Sequence, residues 1–396
     1  TDTGKARDVT VKVNASQLQA TGAVGVDARS SLLMSAVADA LSDTTVRVAA
    51  AAVVAVNRYR GSTRSEVESR TGVTSIKAGG TVSVIARESL SVDAKAYTGG
   101  KTSRLQVGGL LVLNDLKRDL AARLDGLGVD GGALAVEAID SATITASAEG
   151  KVDANSSDPF DDWTDLVANG SVASNWLVGG VRIAANDVNL RVGGDASMRA
   201  DSSATLSATN KVLTNTLGGA GTALAYNLIG REGAGGLKAG GVKAFLDGNP
   251  GTLATYEVGA SFDKGFVNAG GDFTVSGNLA LKATATLSQE TDGAFGSSSA
   301  ALAQNLSEAS TQVRFAPTVG TEHYVGGNAR IAAKDAAELI ATGTMSADGF
   351  FASTGLAVMR NQANHVVDAR VTGAELTAGG DIDVWADSKA RIQATL

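Results

Sequence analysis

The chain has no cysteine, three prolines and two histidines, and aromatic residues make up only 4% of its 396 residues. Without cysteine there is no disulfide, no thiolate nucleophile and no Cys-ligated metal. So few rings mean that the interior has to be filled by small and β-branched side chains, which suits strands stacked at close, regular spacing. A basic excess is also missing. The formal net charge of −7 argues against a nucleic-acid partner and against a polybasic membrane anchor. The longest apolar run, VRVAAAAVVAVN from Val46 to Asn57, is too short for a membrane span. The opening TDTGKARDVTVKV carries no initiating Met and no targeting pattern, and the chain stops inside a repeat unit. The sequence therefore reads as a segment of a longer protein.

What is abundant is glycine, 48 residues of it, and much of it recurs as a refrain. A double glycine flanked by alternating segments appears at Gly79–Gly80, Gly131–Gly132, Gly193–Gly194, Gly270–Gly271, Gly326–Gly327 and Gly379–Gly380. An eroded seventh copy is LQATGAVGVDAR from Leu18. A second marker is an apolar, Ala-rich strand ending in asparagine: Asn57, Asn114, Asn175, Asn227, Asn305 and Asn361. The distance from glycine pair to asparagine is 33 to 35 residues in five of six units and 43 in the other, so the register is real. A third segment repeats as ARLDG, AFLDG and ARVTG. Period-two alternation runs through all three, as in Val82, Val84 and Ala86 or Ile382, Val384 and Ala386.

A unit of three alternating segments cannot bury its apolar face alone; stacking equivalent units supplies both hydrogen-bond partners and a core. The expected fold is all-β: an elongated parallel β-solenoid, with a right-handed β-helix favoured, of about seven degenerate repeats of about 55 residues. One continuous domain spans 1–396, with surface insertions at about 155–166 and 231–259. Two or three coils of about 20 residues per unit are favoured over one wide coil, which makes the object a rod. The glycine pairs are placed at corners that need positive φ or a close backbone approach, with Asp195, Asp272, Asn328 and Asp381 bracing the turn. The asparagines are placed in a side-chain ladder at another corner. Strand is favoured throughout, with Asp115 to Leu124 as the candidate short helix.

Chemistry is sparse. No copy of the glycine motif has the third Gly and following Asp of a calcium-binding nonapeptide, and GREGAGGLKAGG lacks the ending of a phosphate loop. His323 and His365 fall at different phases of the repeat and read as exposed; with no third ligand, no metal or cofactor is expected. Serine is too common for a Ser-His-Asp triad to be selected from sequence. The one non-repeat cluster is NSSDPFDDWTDL, where Asp158, Phe160, Asp161, Asp162, Trp163 and Asp165 could hold a cation or stack on a sugar. Its bland reading is a decorated surface loop.

The combination of LAVMRN, ARVTG and LTAGGDIDVWAD with their siblings resembles the long degenerate repeats of giant secreted bacterial adhesins, the filamentous-haemagglutinin-like and leukotoxin-family filamentous adhesins. The resemblance covers nearly the whole chain. It implies a non-catalytic, extracellular stalk at the bacterial cell surface that works in adhesion, cell contact or biofilm matrix. Implied partners are other copies or segments of the same long chain end to end, and cell-surface glycans or matrix, with no nucleic acid and no membrane span. Alternatives from other classes are a carbohydrate-active β-helix enzyme, a polysaccharide lyase or hydrolase, and a self-assembling filament or surface lattice.

Overall fold

A computed structural model describes residues 7–14, 17–42, 48–69, 74–100, 105–153, 166–232, 252–349 and 352–396. Among these there is no helix, and nearly all pairing between strands is parallel, so the chain is a parallel β-solenoid. The candidate helix at Asp115 to Leu124 lies inside the strand Leu105–Asp125. Leu116, Leu120, Ala122 and Leu124 point inward and are fully or nearly fully buried there, because neighbours above and below reward the period of two over helical propensity.

Each repeat is one wide coil, which overturns the expectation of two or three short ones. Val24 lies beside Val82, then Leu134, Ala196, Phe273, Ala329 and Ile382 in successive coils. The whole unit therefore separates neighbouring rungs. A coil begins after the glycine pair with a long strand, such as Thr81–Gly100 or Ala329–Gly349. It turns into a second long strand that carries the asparagine, such as Leu105–Asp125 or Ser353–Val371. A short strand, such as Leu127–Gly131 or Glu375–Ala378, leads back to the next glycine pair. The two long strands face one another and enclose the core.

A strand of 20 residues reaches about 65 Å, whereas seven coils stacked at ~4.8 Å rise only about 30 Å. These coils form a slab, broader than it is tall, rather than a rod. The core is thin and made mainly of valine, alanine and leucine, joined by a ring cluster of Phe262, Phe273 and Phe315 with centroids 5.2 to 6.4 Å apart.

The glycine pairs do sit at a corner, and the reason is close approach rather than positive φ. A Cβ at Gly270 would run into the carbonyl oxygen of Gly193, and one at Gly326 into that of Gly270. Backbone bonds continue through the column, as in Gly271 N–H to Gly194 O at 3.0 Å and Gly327 N–H to Gly271 O at 2.9 Å. The next residue is the expected brace: Asp195 Oδ1 accepts from Asp272 N–H, Asp272 Oδ1 from Asn328 N–H, and Asn328 Oδ1 from Asp381 N–H, at 2.7 to 2.9 Å. Positive φ occurs instead at the opposite corner, between the asparagine strand and the short strand, at Gly126, Asp187, Lys264 and Gly373, and also at Gly179 within an asparagine strand and at Gly230 and Thr255 beside the second insertion. The final glycines of ARLDG and ARVTG serve at that opposite corner.

The asparagines form their ladder in the middle of a strand, facing the interior, not at a corner. Asn57, Asn114, Asn175, Asn227, Asn305 and Asn361 are in register, and each Nδ2 donates to the Oδ1 of the next at 2.7 to 3.0 Å. The same Nδ2 also donates across the core to a carbonyl of the facing sheet: Asp93, Thr145, Ser207, Thr284, Ile340 and Gln393 in turn, at 2.6 to 2.8 Å. The residue after each accepting carbonyl is alanine in every case, from Ala94 to Ala394. A methyl leaves room for the amide to cross.

Both insertions interrupt the coil without shifting it. Residues 154–165, and with them Asp158, Phe160, Asp161, Asp162, Trp163 and Asp165, lie outside the described residues, between two paired long strands. The second insertion leaves the asparagine strand after Ile229, where Arg231 and Glu232 pair antiparallel with Leu253 and Thr252. The strand resumes at Tyr256 in register with its neighbours.

Candidate functional site

Six ionisable side chains of the interior, Glu88, Arg118, Asp140, Tyr256, Asp335 and His365, fall on two facing columns. On the asparagine sheet the column runs Gly61, Arg118, Gly179, Tyr256, Ala309, His365. On the facing sheet it runs Ser30, Glu88, Asp140, Ser202, Leu279, Asp335, Ser388. Ala309 and Leu279 divide this polar stripe into two clusters.

In the first cluster the Arg118 guanidinium is a fork on both oxygens of Asp140, at 2.5 Å each, and also donates to the Tyr256 hydroxyl at 3.0 Å. Ser202 Oγ and the Tyr256 hydroxyl both donate to Asp140 Oδ2, at 3.1 Å each. Glu88 is the odd member. Its Oε1 accepts from Tyr59 at 2.9 Å, but its Oε2 meets no donor among the described residues. Burial raises the Glu88 carboxyl above its usual range, with Arg118 and Tyr59 pulling down and Asp140 pushing up. Burial also raises Asp140 against the opposing pull of Arg118. One guanidinium cannot neutralise two carboxylates, and the fork geometry assigns it to Asp140. Burial pulls Arg118 down, yet Asp140, Tyr256 and Glu88 more than offset this, so it stays charged.

The second cluster has the hydrogen-bond order of a hydrolytic triad. His365 Nδ1 donates to Asp335 Oδ2 at 2.5 Å, and Nε2 faces Ser307 Oγ at 2.7 Å. Three strands of two adjacent coils supply the three residues. A serine nucleophile needs a carbonyl carbon within reach and donors aimed at the developing oxyanion. Ser307 is 1% exposed and lies on the inward face between Asn305 and Ala309, so a substrate carbonyl has no approach to Oγ. The arrangement pins one coil to the next.

Neither histidine is the exposed residue that its repeat phase suggested. The His365 ring is 7% exposed and His323 is fully buried, tilted against Phe266 and edge-on to Phe315. His323 Nδ1 accepts from Val267 N–H at 3.3 Å, and burial holds the ring below its usual pKa. Sequence alone hides these clusters because the partners lie on facing sheets, 22 to 30 residues apart for Arg118–Asp140, Tyr59–Glu88 and His365–Asp335, or on one sheet but 138 residues apart for Arg118–Tyr256; the usable signal is Glu88, Asp140 and Asp335 at the same inward repeat phase. No cluster of metal-ligating side chains occurs among the described residues.

On the outer side of the asparagine sheet a groove of about 510 Å³ runs over the first cluster, lined by Arg60, Arg64, Lys117, Asp119, Arg182 and Glu257 with Gly61 and Gly179 among its lining residues. A second groove, of about 320 Å³, continues it and shares Arg182 and Glu257. Comparison of the chain with protein-family models, curated proteins and solved structures gave no match.

Proposed function

We propose that the chain is a structural and interaction segment, a stalk, of a large extracellular bacterial adhesin or matrix fibre, and that it carries out no catalysis. The observation that carries this reading is the asparagine ladder. It joins six coils to one another and to the facing sheet through the same two hydrogen bonds each time. Conformation is repeated here, and side-chain chemistry is spent on holding coils together rather than on an open site. The inaccessibility of Ser307 supports a non-catalytic role, since the Ser307, His365 and Asp335 constellation, which has the order of a hydrolase, is packed into the core.

The test is location and attachment. Antibody raised against residues 1–396 should label intact cells of the producing bacterium, and deleting the coding region should reduce their attachment to surfaces or to one another. Label confined to broken cells, or unchanged attachment, removes the reading.

A further inference from the structure

We propose that the outer groove of the first three coils binds an acidic polysaccharide through its arginines. The chain is acidic overall, yet cations outnumber acids on this face: Arg58, Arg60, Arg64, Lys117 and Arg182 stand beside the four carboxylates of Asp8, Asp115, Asp119 and Glu257. Asp115 holds Arg58 and Arg60 at 3.3 and 2.7 Å, Asp119 holds Arg64 and Arg182 at 3.0 and 3.7 Å, and Glu257 holds Arg182 at 2.7 Å. Asp115 is 13% exposed while its two arginines are 31% and 55% exposed, so that carboxylate lies low and the guanidinium groups stand above it.

Arg60 also donates to the Tyr59 and Asp115 carbonyls at 2.9 and 3.0 Å, and a guanidinium has five donors, more than these contacts use, on a side chain already fixed in place. Arg60 and Lys117 are adjacent in one column, and Arg64 and Arg182 occupy a second column two coils apart. Cations therefore recur at multiples of the ~4.8 Å coil spacing along the solenoid axis. A linear polymer with an acidic group on each residue matches such a row, because carboxylate and sulfate accept the planar fork. The groove also presents the side-chain-free backbone of Gly61 and Gly179 and the hydroxyls of Ser62 and Thr255, which suit sugar hydroxyls. Unlike a nucleic-acid site, the groove has no aromatic side chain in its lining on which bases could stack.

Polygalacturonate is the probe, with binding measured by titration calorimetry at low and at raised salt on the whole 396-residue chain. Binding should weaken as salt rises. The triple variant Arg60→Gln/Arg64→Gln/Arg182→Gln should bind at least tenfold more weakly at unchanged melting temperature. A control with the same charge change on the other sheet, Arg29→Gln/Arg87→Gln/Arg199→Gln, should bind as the parent does, and neutral dextran should not bind. Absence of polygalacturonate binding at low salt, or equal loss in the two triple variants, overturns the proposal. Single-stranded DNA binding as tightly as the glycan overturns it too, since the surface would then select charge alone. Each outcome is independent of where the protein is located in the cell, so the stalk reading stands or falls separately.

Discussion

Arg118 holds both carboxylate oxygens of Asp140 at 2.5 Å in the closed interior of the solenoid. Removing one partner strands the other charge. Arg118→Met should destabilise the chain by about 3–5 kcal/mol, whereas Arg118→Met combined with Asp140→Leu should recover most of the loss. Chemical denaturation of the two single variants and the double variant measures the coupling.

Glu88 should make the chain more stable in acid than at neutral pH in that region. Its carboxyl is raised in the folded state, so folding favours the protonated form. The stabilisation is complete below the ordinary value of 4.5 and is lost as pH rises through the elevated folded value. Glu88→Gln keeps an acceptor for Tyr59 and removes the titration. It should raise stability at pH 7 by about 1 kcal/mol and flatten the slope between pH 4.5 and neutrality, as read from denaturant midpoints.

Asn175→Ala deletes a donor to Asn227 and a donor to the Ser207 carbonyl, and leaves Asn114 without its upper acceptor. A loss of about 2–4 kcal/mol is expected. Because coils contact mainly their neighbours, faster amide exchange should appear in the coils around Asn175 and fade towards Asn57 and Asn361. Uniform acceleration along the chain would argue against a ladder of local links.

Gly270→Ala should cost about 1–3 kcal/mol by forcing the corner away from Gly193. Gly193→Ala, at the equivalent place one coil earlier, has open space and should be close to neutral. Melting temperatures of the pair separate close approach from any general need for glycine.

Ser307 should remain unlabelled by a fluorophosphonate probe in the folded chain, in spite of its bond to His365. Labelling that disappears in His365→Ala would show an accessible nucleophile and would end the non-catalytic reading.

The fold class was legible because alternation and the glycine refrain are local. Val82, Val84 and Ala86 announce a strand without help from the rest of the chain. The width of the coil was not, since nothing within a unit says whether Leu113 pairs with a residue of its own repeat or of the next; only the stacking of Asn114 on Asn57 decides it. The interior side of the asparagines was hidden for a related reason. Asparagine in a sequence signals a turn, and it is buried here because a neighbour above and a carbonyl opposite satisfy its amide. His365 and Asp335 are 30 residues apart on facing sheets, a pairing that exists only once the coil width is known.

The brace beside the glycine corner gives the solenoid a direction. Asp195 offers an oxygen to the backbone of the coil above, as do Asp272 and Asn328 in their turn, and the asparagine amides point along the same axis. Turning a coil upside down would set donor against donor and acceptor against acceptor at both places. Growth by stacking is therefore vectorial: each coil is a template that admits its successor in one orientation only, and a fault in one amide would be passed on as a mismatch to the coil above it.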